Sequence, residues 1–311
     1  MSRGRCWYFC YCLLLLSKCE CSSAAGLVAT NNSHLRPFNV IYVGGSSGMG
    51  KAAALANIQR GGKVMLVSRS SEKLAKAKDE IISVSQKLLR TTINNNHEDD
   101  TNTMLLEGLI STAVLDVSNE DSVERFGASL TEGLWDGLVF SAAGKAPHGP
   151  ITELETSQTM ELFETKFWGA YRCAKHIAPR LNNDGAVVFV SGVLNRRPGV
   201  NCSPLACTNG ALEGLTRSLA LEFGPRLRVN CLSPGFCDTE RFDGMDSDKR
   251  VAMLRNTAES LPLRRVGSPE DMGEALHYLL TSRFCTGVVL DCDGGHGIRQ
   301  YASAATDPMR K

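Results

Sequence analysis

The sequence predicts one doubly wound α/β domain of about seven parallel strands with helices on both faces. Three observations lead there. From Phe38 onward, short apolar runs alternate with longer amphipathic segments, the rhythm of strand–helix–strand units. The apolar runs are nearly continuous, so the strands they form are covered on both faces. A glycine-rich turn joins the first strand to the first helix.

The elements follow in order. Strands are expected at 40–43, 64–67, 113–115, 138–140, 186–190, 227–232 and 288–290, with helical segments such as 51–60, 153–179 and 203–223 between them. Residues 90–103 break the rhythm. They are polar and aperiodic, and they read as a mobile insertion between the second helix and the third strand. The domain spans 38–298, and the tail at 299–311, poor in apolar residues, is expected to fray.

The first 25 residues differ in character. Arg3 and Arg5 precede an apolar run at 6–16, and small residues follow at 22–25. This is the pattern of a secretory-type leader, with an irrelevant extension as the other reading. Eleven residues rise only about 16 Å as a helix, too little to span a bilayer. If used, the segment sends the chain to the secretory pathway or an organelle; if not, the chain is cytoplasmic. Five of the 12 cysteines lie in it, and the remaining seven include no pair with metal-ligand spacing, so no metal is expected. Those inside apolar runs, such as Cys231, read as small buried hydrophobes. A net charge of +1 makes no electrostatic case for nucleic acid or an anionic membrane. The expected partner is a small molecule.

Gly44, Gly48 and Gly50 fall directly between strand and helix, with Ser46, Ser47 and Met49 among them. Glycine lets the backbone approach a pyrophosphate. The helix N-terminus offers free N–H groups and a positive dipole end, and the serines add hydroxyl donors. The spacing is G-x3-G-x-G, distinct from G-x-G-x-x-G. Arg69, beside Ser68, lies 19 residues after Gly50 at the end of the second strand. An acidic residue there would take the ribose 2′-OH of NAD, whereas an arginine suits the 2′-phosphate of NADP. No Asp or Glu lies between Gly50 and Glu72. NADP is therefore expected over NAD, with a solvated arginine as the alternative.

Further motifs stand in order. Asp116-Val117 follows the third strand and Ser141-Ala142-Ala143-Gly144 the fourth; Ala211-Leu212-Glu213-Gly214-Leu215-Thr216-Arg217 lies on a long helix. Arg228-Val229-Asn230 leads to Ser233-Pro234-Gly235, and Asp293-Gly294-Gly295 comes near the end. With the glycine loop, these make the chain resemble the short-chain dehydrogenase/reductase family from Val40 to Gly297, on a Rossmann-type fold. The resemblance implies that Asp116 contacts the adenine amino group and Val117 offers its backbone. It implies that Ala142, Ala143 and Gly144 line the cofactor, and that Pro234, Gly235 and Thr239 contact the nicotinamide carboxamide. It also implies a homodimer or homotetramer built through two long helices and the last strand.

The family's catalytic tetrad has no counterpart. Counting back from Ala211 puts Leu205 at the tyrosine and Asn209 at the lysine of Tyr-x3-Lys. Gly192 falls at the serine, with Ser191 one place earlier, and Lys166 falls at the asparagine. No tyrosine occurs between Tyr171 and Tyr278, and no lysine between Lys175 and Lys249, so a shift of register restores nothing.

Lys166 shares a helical face with Leu162, Phe163 and Ala170, which points it toward the sheet. A partly buried lysine with lowered pKa acts as an acid or base, or its ammonium holds ribose hydroxyls. The alternative is a packed stem with the amine snorkelling to water. His148, in the loop after strand four, is a second candidate acid. Ser191 is a candidate replacement hydroxyl, and Arg196 and Arg197 are candidate holders of an acidic substrate. Solvation is the alternative for His148 and the arginines. The loop at 239–257 is expected to cover the site. Two function classes stay open: an NADP-dependent oxidoreductase moving hydride between nicotinamide and a carbonyl or alcohol carbon, or an NADP(H)-binding sensor or scaffold without turnover.

Overall fold

The computed structural model describes residues 37–93 and 99–298. The leader and the tail lie outside the described residues. The strands are β1 Val40–Val43, β2 Val64–Ser68, β3 Ile110–Val114, β4 Gly137–Phe140, β5 Gly185–Val190, β6 Leu227–Pro234 and β7 Val289–Cys292. All seven pair in parallel in one sheet, in the order β3-β2-β1-β4-β5-β6-β7. The α-helices are α1 Gly48–Ile58, α2 Ser71–Ile93, α3 Asp99–Leu109, α4 Glu120–Ser129, α5 Thr156–Phe163, α6 Gly169–His176, α7 Ser203–Phe223, α8 Ser247–Ser260 and α9 Pro269–Thr281.

Strand alternation builds two cores. Val40 and Tyr42 of β1 join Ala53, Ile58, Leu74 and Leu276 under α1, α2 and α9. Ile41 and Val43 join Val123, Ala170, Ile177 and Leu212 under α4, α6 and α7. The central strands β1, β4 and β5 are buried at every residue, as the continuous apolar runs require. The edges are more open. β3 starts at Ile110, ahead of the expected strand, because Ser111 and Thr112 stand exposed on the edge and interrupt the apolar run. At the other edge β7 has no fully buried residue.

Helix α7 spans 203–223, as expected. The segment at 153–179 does not form one helix. After α5 the chain makes a π-helical turn, Glu164–Trp168, before resuming as α6. There the Gly169 N–H reaches five residues back to the Glu164 carbonyl. Apolar periodicity does not register one extra residue in a turn. At 90–103 helix enters from both sides, since α2 runs to Ile93 and α3 begins at Asp99. Polar composition hid both ends. Of the seven free cysteines described, Cys173 and Cys231 are buried, Cys207 is exposed and the other four are half-buried; the buried-hydrophobe reading holds for two.

Strand order reverses between β1 and β4. In open α/β sheets the crevice at the carboxyl ends of such a pair is where ligands bind. Here it gathers Gly44, Ser141 and the ends of β5 and β6.

Candidate active site

Two glycines fix the loop after β1. Gly44 has φ +90°, and a Cβ on it would lie 2.6 Å from the Ala142 nitrogen. A Cβ on Gly50 would lie 2.5 Å from the Gly44 carbonyl oxygen. The loop therefore packs backbone to backbone against the end of β4, where the Ser141 N–H donates to Val43 O over 2.8 Å. Ser47 precedes α1, and its side chain makes no capping bond. The Gly48 N–H in the first turn donates to Glu240 Oε2 over 2.7 Å. Lys51 Nζ meets Glu240 Oε1 at 2.6 Å and Glu80 at 2.6 Å.

Beyond β2, Arg69 is exposed, and no carboxylate of the described residues forms an ion pair with it. Ser68 Oγ turns back to accept the Ser70 N–H. The Asp116 carboxylate accepts both the N–H and the hydroxyl of Ser118, at 3.0 and 2.6 Å. Those bonds chiefly, and then the charge of Arg69, hold it below the usual carboxylate range. A close-packed glycine loop, a helix N-terminus and a cation at the end of β2 fit a dinucleotide with a 2′-phosphate.

The loop after β4 is tied to the π turn. The Gly144 N–H donates to Thr165 Oγ1 over 3.0 Å, and a Cβ on Gly144 would fall 2.7 Å from that oxygen. The Thr165 hydroxyl in turn lies 3.1 Å from Glu161 O and 3.3 Å from Leu162 O. Ala142 is half-buried and Ala143 exposed. Val117 is buried, and its carbonyl accepts Arg172 Nη1 over 3.2 Å. After Pro234, the Gly235 N–H donates to Cys292 O over 3.1 Å. A Cβ on Gly48 would lie 3.5 Å from Thr239 Cγ2, so Thr239 rests on the phosphate loop. Met49 packs on the first core, and Ser46 is half-buried.

Lys166 sits in the π turn and is 6% exposed, so its amine does not snorkel. Nζ donates to Asn209 Oδ1 over 2.5 Å and to Ser191 O over 3.1 Å. Asn209 Nδ2 donates on to Gly192 O over 3.1 Å. Both acceptors of the amine are neutral, and they occupy two of its three N–H bonds. Burial, with the charge of Arg241 adding to it, brings its pKa down to about 7. Relative to the pattern the chain resembles, cation and amide have changed places between 166 and 209. One turn before Asn209 stands Leu205, half-buried and without a hydroxyl.

The other candidates are placed differently. Ser191 meets Lys166 through its carbonyl; its hydroxyl donates to Glu213 Oε1 over 3.1 Å. Alternation along β5 turns that hydroxyl toward α7. Buried Glu213 also takes Arg196 Nη1 at 2.6 Å, while Arg196 Nη2 reaches Ser233 Oγ at 2.8 Å and Asp291. The Arg196 fork is thus closed on the protein's own groups, not open to an acidic substrate. Arg197 is half-buried. His148 is exposed, with Nδ1 3.4 Å from Cys202 Sγ.

Four residues escaped the sequence reading: Asn209 as a hydrogen-bonding partner, Thr165, Lys51 and Glu240. Lys51 carried a signal, because a cation in a helix's first turn opposes the macrodipole unless something pairs with it. Asn209 carried a weaker one, as a polar residue within an apolar helix.

Comparison with known proteins agrees with the fold and site. Residues 83–297 match the family profile described as enoyl-(acyl carrier protein) reductase, and residues 39–107 match the one described as short chain dehydrogenase. The chain is 30% identical over 268 residues to short-chain dehydrogenase/reductase ATR9 of Stachybotrys chlorohalonatus, covering 84% of this chain and 97% of that one. It is 27% identical over 258 residues to carbonyl reductase family member 4 of Danio rerio, covering 82% and 96%. A solved small-chain dehydrogenase in complex with NADPH superposes with a TM-score of 0.64 at 30% identity, over 85% of this chain and 100% of that one. The chain belongs to the short-chain dehydrogenase/reductase family. It is an oxidoreductase of that family by fold and kinship.

Proposed function

We propose that this chain is an NADP-dependent oxidoreductase that moves a hydride between the nicotinamide and a carbonyl or alcohol carbon, with Lys166 as its proton-transfer group. The observation that carries the reading is Lys166 itself. It is a buried amine held only by neutral acceptors, with its proton affinity brought to about pH 7. The 30%-identical structure in complex with NADPH supports the cofactor choice, as does Arg69.

The residues divide the cofactor between them. Gly44, Gly48 and Gly50, the serines 46 and 47 and the N-terminus of α1 hold the diphosphate. Ser68 and Arg69 take the 2′-phosphate, and Asp116 and Val117 the adenine. Ala142, Ala143, Gly144, Pro234, Gly235 and Thr239 line the nicotinamide half. When bound, the cofactor supplies or takes the hydride. Lys166 gives its remaining hydrogen to a carbonyl oxygen during reduction and takes it back in the reverse direction. Asn209 and the Ser191 carbonyl hold the amine by its other two hydrogens and fix its direction. Losing a proton leaves a neutral amine in a buried site, which burial favours. Trp168, which ends the π turn, and Tyr171 of α6 are half-exposed and support a homodimer or homotetramer, which mass measurement in solution checks.

The test is to mix the purified protein with NADPH and a panel of carbonyl compounds, following cofactor fluorescence for binding and reduced-nicotinamide absorbance for turnover. The Lys166→Met variant is expected to bind NADPH and turn nothing over. Turnover unchanged in that variant would sink the lysine role. Binding by the unaltered protein without turnover across the panel would point to a sensor instead.

A further inference from the structure

A carboxylate of the protein's own stands on the phosphate loop. Glu240 Oε2 accepts the Gly48 N–H at 2.7 Å, and Oε1 meets Lys51 Nζ at 2.6 Å. Gly48 is the first residue of α1, and its N–H is one of the donors a helix N-terminus leaves for an anion. Neighbouring Thr239 presses on the same glycine. An anionic side chain, a helix-end N–H and a lysine together reproduce the contacts a phosphate group would make there. Burial raises the Glu240 proton affinity, but the bond and charge of Lys51, with the backbone bonds of Glu240 itself and Gly48, outweigh it and keep the carboxylate ionised.

The segment bearing Glu240 is a preformed unit resting on the domain. Arg250 of α8 binds Asp238 Oδ1 at 2.7 Å and Asp243 Oδ1 at 2.9 Å, one on each side of Glu240. Phe236 and Phe242 stack with centroids 5.4 Å apart across the same loop. Helix α8 itself buries none of its residues. Loop and helix therefore hold their own shape while little apolar packing fixes them to the body. Lys51 keeps Glu80 whichever way Glu240 turns.

We propose that Glu240 is an internal stand-in for the cofactor's diphosphate, closing the phosphate loop until NADP(H) displaces it and moves the 238–243 loop. The inference rests on the cofactor reading above. Two anions cannot share the Gly48 N–H, so the cofactor's apparent affinity is lowered by the fraction of molecules in which Glu240 is seated. Arg241 travels with Glu240. Its charge adds to burial in weakening Lys166's hold on its proton, so displacement of the loop also strengthens that hold as the cofactor arrives.

The experiment is direct titration of the whole protein by NADPH fluorescence and by calorimetry, for the unaltered chain and for Glu240→Gln and Glu240→Ala. Adenosine 2′-monophosphate, which carries no diphosphate, is the control ligand. NADPH is expected to bind about ten-fold more tightly to Glu240→Ala, which corresponds to about 1.4 kcal/mol, with Glu240→Gln intermediate and the monophosphate unchanged. Inorganic pyrophosphate is expected to gain affinity in step with NADPH. NADPH affinity equal or weaker in both variants would overturn the stand-in and leave the cofactor reading intact. A gain for the monophosphate as large as for NADPH would overturn it too, since the effect would then not be local to the diphosphate. No NADPH binding by any of the three proteins would overturn both readings.

Discussion

A lysine ammonium taken out of water and given two neutral acceptors holds its proton poorly, and Lys166 is so placed. Two consequences can be measured. The kcat/KM for NADPH in carbonyl reduction, which reports the free enzyme, is expected to fall as pH rises through about 7, because the acid form is lost there, and the kcat/KM for the oxidised cofactor in alcohol oxidation is expected to rise over the same range. Lys166→Arg, cationic at every accessible pH, should lose that limb. The second consequence concerns stability. The folded-state pKa lies below the unfolded-state value of about 10.4, so the cost of burying the charge is fully present below about pH 7 and is relieved as pH rises toward 10. Urea titrations should show the unaltered protein gaining on Lys166→Met across that window. The apolar residues at 162, 163 and 170 made the burial of Lys166 legible in the sequence. Its grip by Asn209 was not, because the two lie 43 positions apart on different helices and meet only through packing. That Ser191 gives its carbonyl to Lys166 and its hydroxyl to Glu213 is not legible in the sequence for a related reason: the neighbouring helix settles which way a strand end faces.

At the scale of the element, Thr165 ties the loop after β4 to the turn that carries Lys166. Its oxygen accepts the Gly144 N–H, and its hydroxyl serves carbonyls of α5. Thr165→Val keeps the shape and removes both bonds. About 1–3 kcal/mol of stability is expected to go with the unsatisfied Gly144 N–H, read by denaturant unfolding, and turnover should fall more than NADPH affinity does. The strands were legible where both faces are buried, as in β1, β4 and β5, and were misplaced where polar residues occupy an edge, as at Ser111 and Thr112 in β3.

For the whole molecule, the two halves of the sheet meet at the β1–β4 switch, and a ligand there contacts loops from both. NADPH at about a hundred times its dissociation constant should stabilise the fold by about 2.7 kcal/mol, raising the melting temperature by several degrees. NADH at the same concentration should do less, and Arg69→Gln should narrow the difference between them, as thermal melts would show. The architecture was readable because seven apolar strand runs alternate with helical segments along the chain. In the candidate site the glycine loop was readable, because one short segment between β1 and α1 builds it. The surroundings of Lys166 draw single residues from the π turn, the end of β5 and α7, and no local pattern joins them.

The π turn can also be counted in residues. An α-helix turns about 100° for each residue added, and a π turn accommodates one residue beyond the regular count. The helical stretch from Thr156 to His176 is therefore a regular helix carrying one surplus residue, and that surplus sets the phase of Lys166 relative to α6. Removing any one of residues 164, 165, 167 or 168 would change one side's phase by roughly a quarter turn. Every other side chain would be retained, yet the amine would swing away from Asn209. The position of the charge in this site depends on chain length in that segment as much as on which amino acid stands at 166.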